Sequence, residues 1–332
     1  MFTDETARKI GKMSKQKRPH PASGFGTVLA WLARIVPFLA LLLVAWIAAT
    51  RFEMLVHGQP VYAILVGATT VAALVGVIRA WRERMTRRPV LRSLGVVGAL
   101  VWLAIIGWLA PSVAVQPALA AMRSSASVAV TENATQIVLT PTGSVDDVGL
   151  FFQPGAKVDA RAYAAVLLPV AEAGHVVVIP KQPLGIAFLS TGAFTSARGD
   201  FAPVTRWVVG GHSLGGTVAA MTADSYCGSR SEPVVGLLLF ASYPASDISK
   251  SLDCPVLSIS GSRDGLSTPA KIRSTKRLLP EDAEYVTIRG AVHAYFGDYG
   301  TQSGDGQPTT GHAEARARIS TTTVRFMNAG IR

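Results

Sequence analysis

Cysteine is nearly absent from this sequence, with two residues in 332, Cys227 and Cys254. Two thiols exclude a disulfide-rich scaffold and a metal centre of the usual Cys/His spacing, and they leave room for one bridge. Charge is also scarce, at 16% of residues, and the acidic sign is the scarcer, 21 against 32 basic. The deficit is local: residues 1–112 hold 14 Lys/Arg and 4 Asp/Glu, whereas residues 113–332 hold 18 and 17. A nucleic-acid interface needs its basic excess on the folded domain, so the near-neutral second part excludes that class. No internal repeat is evident, and the length fits two or three domains or segments.

What the chain has in abundance is long apolar runs. Residues 1–26 come first, a basic arm with Arg8, Lys9, Lys12, Lys15, Lys17 and Arg18 that reads as cytoplasmic. Apolar segments follow at 28–50, 61–78 and 94–115, the last two without charge. Each is long enough to cross a hydrocarbon core of about 30 Å. Arg34, near the start of the first, can snorkel to the headgroups. One such segment can be a buried helix of a water-soluble protein. Three in succession read as a transmembrane region over residues 27–116. The loop between the second and third carries Arg79, Arg82, Arg84, Arg87, Arg88 and Arg92, against Arg51 alone in the loop before. By the positive-inside rule the arm and the arginine loop are cytoplasmic, and three crossings leave everything after Val115 outside. The expected location is the cytoplasmic membrane, multi-pass, with the C-terminal domain on the extracytoplasmic side. A competing pattern is Arg92, an apolar run and Ala118-Leu119-Ala120, which resembles a signal-peptide cleavage site. The run is long for that role, and cleavage would also leave the domain outside.

Residues 117–134 read as a linker and 135–332 as a globular domain. Strand patterns fall at 136–140, 148–153, 175–180, 206–210, 234–241, 256–260 and 284–289. Helix patterns fall at 160–173, 214–227, 269–278 and 313–328. Val-, Ile- and Leu-rich strands alternating with helices predict an α/β fold, a mostly parallel sheet with helices on both faces.

One stretch organises that domain. The strand Trp207-Val208-Val209-Gly210 runs into Gly211-His212-Ser213-Leu214-Gly215-Gly216, and a small-residue helix follows. This is a G-x-S-x-G nucleophile elbow in its required strand–turn–helix context. Past the strand at 256–260 comes Gly261-Ser262-Arg263-Asp264, and past the last strand Gly290-Ala291-Val292-His293. Asp264 alone reads as a turn aspartate and His293 alone as a loop histidine. Together they follow Ser213 in the chain order Ser, Asp, His, each just beyond a strand, where ligands bind in open α/β sheets. Asp247, Asp253 and Asp298 are rival acids on less suitable loops. His175 reads as structural, and His212 as packing or cleft lining and not as a base. Tyr295, Phe296 and Tyr299 suit either a pocket wall or buried packing. No Cys/His cluster suggests a metal.

Residues 148–332 resemble the α/β-hydrolase superfamily, in particular its small, capless, dienelactone-hydrolase-like branch. The likeness rests on the elbow, on the Asp264 and His293 loops, and on Phe152-Gln153-Pro154-Gly155-Ala156-Lys157 after the third strand of that fold. It implies Ser213 as nucleophile, His293 as base and Asp264 as the group that orients the imidazole. The chain departs from lipase-type relatives in lacking a His-Gly-Gly-Gly loop. The expected oxyanion donors are the Leu214 N–H and, because Pro154 has none, that of Gly155 or Ala156, with Ala156 favoured. The resemblance also places Cys227 and Cys254 on neighbouring elements at the face opposite the site, within reach of each other; two free buried thiols are the alternative. Only 12 residues separate Ala241 from Cys254, too few for an inserted cap. The connection 183–204, with Phe188, Phe194 and Phe201, is expected as a partial wall, and 300–311 as a mobile loop nearby.

The expectation is a membrane-anchored serine hydrolase cleaving an ester-type acyl bond of a small-molecule or lipid-like substrate, with no cofactor. The alternatives are an acyltransferase using the same triad and a non-catalytic hydrolase-fold binding protein. The three helices carry no intramembrane ionisable residue besides Arg34, so anchoring explains them better than transport or signalling.

Overall fold

The computed structural model describes residues 24–82, 89–199, 201, 203–228 and 234–329. The basic arm as far as residue 23, and Arg84, Arg87 and Arg88 of the arginine loop, lie outside the described residues. Two compact units are present: residues 1–42 with 70–104, and residues 43–69 with 105–332.

Three long helices come first, α1 (Gly24–His57), α2 (Pro60–Arg82) and α3 (Pro89–Trp108). Their apolar spans, Thr27–His57, Pro60–Ala80 and Val90–Trp108, have mean hydropathies of 2.4, 2.3 and 2.1, long and apolar enough to cross a membrane. Large apolar side chains such as Leu42, Ile64, Val71 and Val101 stay exposed along them, a surface that matches lipid and not water. Within the first unit Leu29, Val36 and Val96 pack together. α1 runs seven residues past the expected end at Thr50 and leaves helical geometry at Arg51 (φ −132°, ψ 19°). α3 stops at Trp108, short of the expected Val115, because Pro111 removes a backbone donor and its ring disfavours helix in the residue before it.

Residues 117–134 are not a plain linker. They hold a helical turn α4 (Ala118–Ala121) and an edge strand β1 (Val128–Glu132). β1 pairs antiparallel with β2 (Gln136–Pro141), Val128 opposite Pro141 and Glu132 opposite Ile137. Only Val128 of β1 is fully buried, so its apolar pattern was too weak to mark a strand.

The other strands are β3 (Val148–Gln153), β4 (Val177–Pro180), β5 (Arg206–His212), β6 (Val234–Phe240), β7 (Val256–Gly261) and β8 (Glu284–Ile288). The eight form one sheet in the order β1-β2-β4-β3-β5-β6-β7-β8. β2 runs antiparallel to β4, and from β4 to β8 every pairing is parallel. Side chains alternate between the two faces: Leu150 and Phe152 enter one core, with Val208, Leu238 and Ile259, while Phe151 enters the other with Val209, Leu237 and Leu239. The first core is closed by α5 (Ala164–Glu172), which follows a 3₁₀ turn at Ala160–Tyr163, and by the C-terminal helix, residues His312–Ala329. The second is closed by α6 (Ala193–Arg198) and α7 (Leu214–Tyr226), through Phe194, Ala219 and Ala223. Residues 241–255 contain neither helix nor strand, and α8 (Pro269–Thr275) follows β7. The C-terminal helix is α9. Cys227 and Cys254 are disulfide-bonded, with Cα atoms 6.1 Å apart.

Candidate active site

Parallel strands all end at one edge of the sheet, and there the loops after β3, β5, β7 and β8 meet. β5 delivers Ser213 in a left-handed conformation, φ 52° and ψ −122°, sparsely populated for a residue with a Cβ. Its N–H donates to Phe240 O at 3.0 Å, and its carbonyl accepts from Ser242 Oγ at 2.6 Å, which hold the turn from both sides. Two glycines make the turn possible. A Cβ on Gly211 would collide with the backbone of Gly215 and Gly216, and one on Gly215 with the carbonyls of Gln153 and Pro154. The elbow helix therefore starts in contact with the loop after β3. Ser213 Oγ has no hydrogen bond among the described residues.

Asp264 and His293 meet as the sequence order implied. His293 Nδ1 lies 2.8 Å from Asp264 Oδ2, and both side chains are essentially buried. The other oxygen, Asp264 Oδ1, accepts the N–H groups of Leu266 at 2.8 Å and Ser267 at 2.7 Å. The carboxylate is thereby aimed, one oxygen anchored in its own turn and the other on the imidazole. Of the rival acids, Asp298 is buried against Arg316 at 2.6 Å, Asp247 caps the turn at Ser249, and Asp253 is exposed. His175 bonds Val148 O and Asn328 Oδ1, a structural bridge. Among the described residues no three potential metal ligands converge.

Two side chains with a part in the site were missed from sequence. Asp305, inside the tract 300–311, binds the N–H groups of His293, Ala294, Gly265 and Gly306 at 2.8–3.0 Å. It straps the His293 loop to the Asp264 loop, so the expected mobile loop is instead a tie between them. Its signal was faint: the one acid in a Gly/Gln/Thr stretch. The second is Tyr163, whose hydroxyl accepts the Gly155 N–H at 2.9 Å and lies 2.8 Å from His212 Nδ1. The Tyr163 oxygen therefore joins the Gly155 N–H to the His212 imidazole in one buried network. His212, read from sequence as packing or cleft lining, is buried beside them. Its ring stacks on Phe296 at 5.9 Å and 12°, and stands 4.5 Å from the His293 ring. Burial, with His293 alongside, holds its pKa well below the ordinary value, so it sits neutral. Burial likewise pushes the Tyr163 hydroxyl up, keeping it a proton donor. Phe296 and Tyr299 are buried packing around these rings, whereas Tyr295 stacks on His312 at 4.4 Å.

The Gly155 N–H is thus occupied. Ala156 N–H has no partner among the described residues, in the loop that touches the start of α7.

A family model described as the alpha/beta hydrolase family matches residues 149–317, half of the chain. The chain belongs to that family. No curated protein matches the sequence. Among solved structures, the hydrolase domain is similar to a dienelactone hydrolase from Anabaena variabilis (15% identity, 62% of this chain and 100% of that one, TM-score 0.46). It is also similar to the esterase domain of a Rhodothermus marinus protein (11% identity, 59% and 93%, TM-score 0.46). A third is a thermophilic esterase from Thermogutta terrifontis (15%, 62% and 94%, TM-score 0.43).

Proposed function

We propose that this hydrolase-family chain is a membrane-anchored serine hydrolase that cleaves an ester-type acyl bond on the extracytoplasmic side. The observation that carries the reading is the strained Ser213 at the end of β5, with the buried His293–Asp264 pair at 2.8 Å on the loops after β8 and β7. A serine hydroxyl is a weak nucleophile until a base takes its proton. His293 accepts that proton as Ser213 Oγ attacks the carbonyl carbon. Asp264, holding Nδ1–H, keeps the imidazole in the right tautomer and stabilises its charged form. The oxyanion takes hydrogen bonds from the N–H groups of Leu214 and Ala156; losing one such donor typically costs about 10²–10³ in rate. The tetrahedral intermediate collapses, and the alcohol leaves with the proton from His293. Water, deprotonated by His293, then attacks the acyl-enzyme and releases the acid, and the proton returns to Ser213.

The side of the membrane is supported by the arginine asymmetry of the loops and by the Cys227–Cys254 bridge, which fits an oxidising compartment. An alkaline phosphatase fused to the C-terminus, active only where disulfides form, is expected to be active; an inactive fusion would put the domain inside. The chemistry is tested on the full chain in nanodiscs, with p-nitrophenyl butyrate and a fluorophosphonate label. Ser213→Ala is expected to lower turnover by about 10⁴-fold or more and to abolish labelling. An unlabelled, inert wild type would overturn the reading in favour of a binding protein.

A further inference from the structure

The edge of the sheet that carries Ser213 is also the edge that rests on the ends of the membrane helices, within the second compact unit. Four contacts fix this. Beyond β3, Arg161 bridges Asp159 at 2.7 Å and Glu53 of α1 at 2.9 Å. Beyond β4, Lys181 reaches Glu132 at 2.7 Å, and Glu132 in turn lies 3.2 Å from His57 at the end of α1. Lys157, in the same loop as Ala156, donates to Trp108 O at 2.8 Å and stands 4.1 Å over the Trp108 ring, where α3 ends. Pro154 shares a cavity of about 30 Å³ with Met54, Tyr62 and Leu109.

Apolar surface continues from there towards the elbow. Leu184 and Ile186 pack on Ile47, Tyr62, Val66 and Ile106 of the three helices. The next turn, Ala187–Ser190, reaches the elbow helix α7, and its Phe188 and Leu189 are 44% and 54% exposed. Two large apolar side chains held in water on the turn that touches the elbow helix are costly, at about 25 cal/mol per Å², unless lipid or an acyl chain covers them. Trp108, 63% exposed where a span ends, marks the interface that aromatic residues favour, so the loop supplying the oxyanion donor lies at headgroup depth.

We propose that the site opens onto the bilayer and takes its substrate from it: a long-chain acyl ester resident in the outer leaflet, whose chain passes over Phe188 and Leu189 as its carbonyl reaches Ser213. The proposal rests on the serine-hydrolase reading above. The helices then do more than tether, because they hold the acyl-handling loop against the lipid phase.

The test uses the full chain in nanodiscs of ether-linked phosphatidylcholine, a bilayer that offers no ester itself. Turnover of p-nitrophenyl palmitate dissolved in the bilayer is compared with that of p-nitrophenyl butyrate in the water, Ser213→Ala serving as blank. Wild type is expected to hydrolyse the palmitate. Phe188→Ser with Leu189→Ser is expected to lower the palmitate-to-butyrate ratio tenfold or more, with an unchanged melting temperature. Butyrate turnover without palmitate turnover, which needs no variant, would overturn the proposal and leave the hydrolase reading standing; so would an unchanged ratio in a folded double variant. Inertness towards both esters, with no fluorophosphonate label, would overturn both.

Discussion

Asp305 Oδ1 accepts the backbone N–H of His293 at 3.0 Å, while the ring of the same histidine is held at 2.8 Å by Asp264. One aspartate fixes the loop and the other fixes the imidazole. Asp305 Oδ1 also takes the Gly265 N–H at 3.0 Å, next to Asp264, so the two loops share a single anchor.

Asp305→Ala leaves four N–H groups without their acceptor, at about 1–3 kcal/mol for each that stays buried and unpaired. The expected outcome is a lower melting temperature and a kcat reduced tenfold or more with KM little changed, because the histidine loses its aim and the substrate contacts do not. Asp305→Asn keeps one acceptor oxygen and is expected to recover part of both. Steady-state kinetics beside thermal melts would check this; unchanged kcat in the alanine variant would refute the strap.

Tyr163→Phe removes the hydroxyl that joins the Gly155 N–H to His212 Nδ1. Both groups are left unpaired in the core, so stability is expected to fall by about 1–3 kcal/mol. The freed Gly155 N–H loosens the loop that carries Ala156, and kcat is expected to fall about tenfold at nearly constant KM. Loss of stability with kcat intact would show that the tyrosine only packs.

His212 makes the fold acid-sensitive. Its folded pKa is depressed by burial and by His293, below the ordinary 6.5 of the unfolded chain. Below about pH 6.5 the unfolded state therefore binds the extra proton, and stability falls as pH is lowered from 7.5 to 5.5. His312, also depressed by burial, acts in the same direction. His212→Asn is expected to flatten the dependence without abolishing it. Melting curves across that range decide; an unchanged slope would contradict the assignment.

The bridge between Cys227 and Cys254 spans 27 residues of chain. On the loop-entropy model it contributes about 3–4 kcal/mol. Cys227 closes α7 and Cys254 precedes β7, both at the edge away from Ser213. Cys227→Ser is expected to lower thermal stability, as a reductant does in wild type, while kcat at 25 °C stays near that of wild type. A large loss of kcat in the folded variant would mean that the bridge shapes the site.

Long, repetitive features were legible in the sequence because they are local. Apolar runs of membrane length declare themselves residue by residue, and so does a β-branched run ending in Gly211-His212-Ser213-Leu214-Gly215. The pairing of His293 with Asp264 was legible too, since strand ends are where a parallel sheet gathers its loops. The edge strand β1 was not, because its partner supplies most of what makes it a strand. Three matters were decided only by tertiary structure. The chain favoured Ala156 over Gly155 without showing what occupies the other N–H, until Tyr163, eight residues on, folded back and took that of Gly155. Asp305 looked like one acid in a polar tract until two loops closed on it. The seat of the Ser213 edge on the helix ends depends on Glu53, His57 and Trp108 meeting residues 49 to 108 positions away. Hydrogen-bond partners and the direction a site faces are properties of distance in space, and a sequence records only distance along the chain.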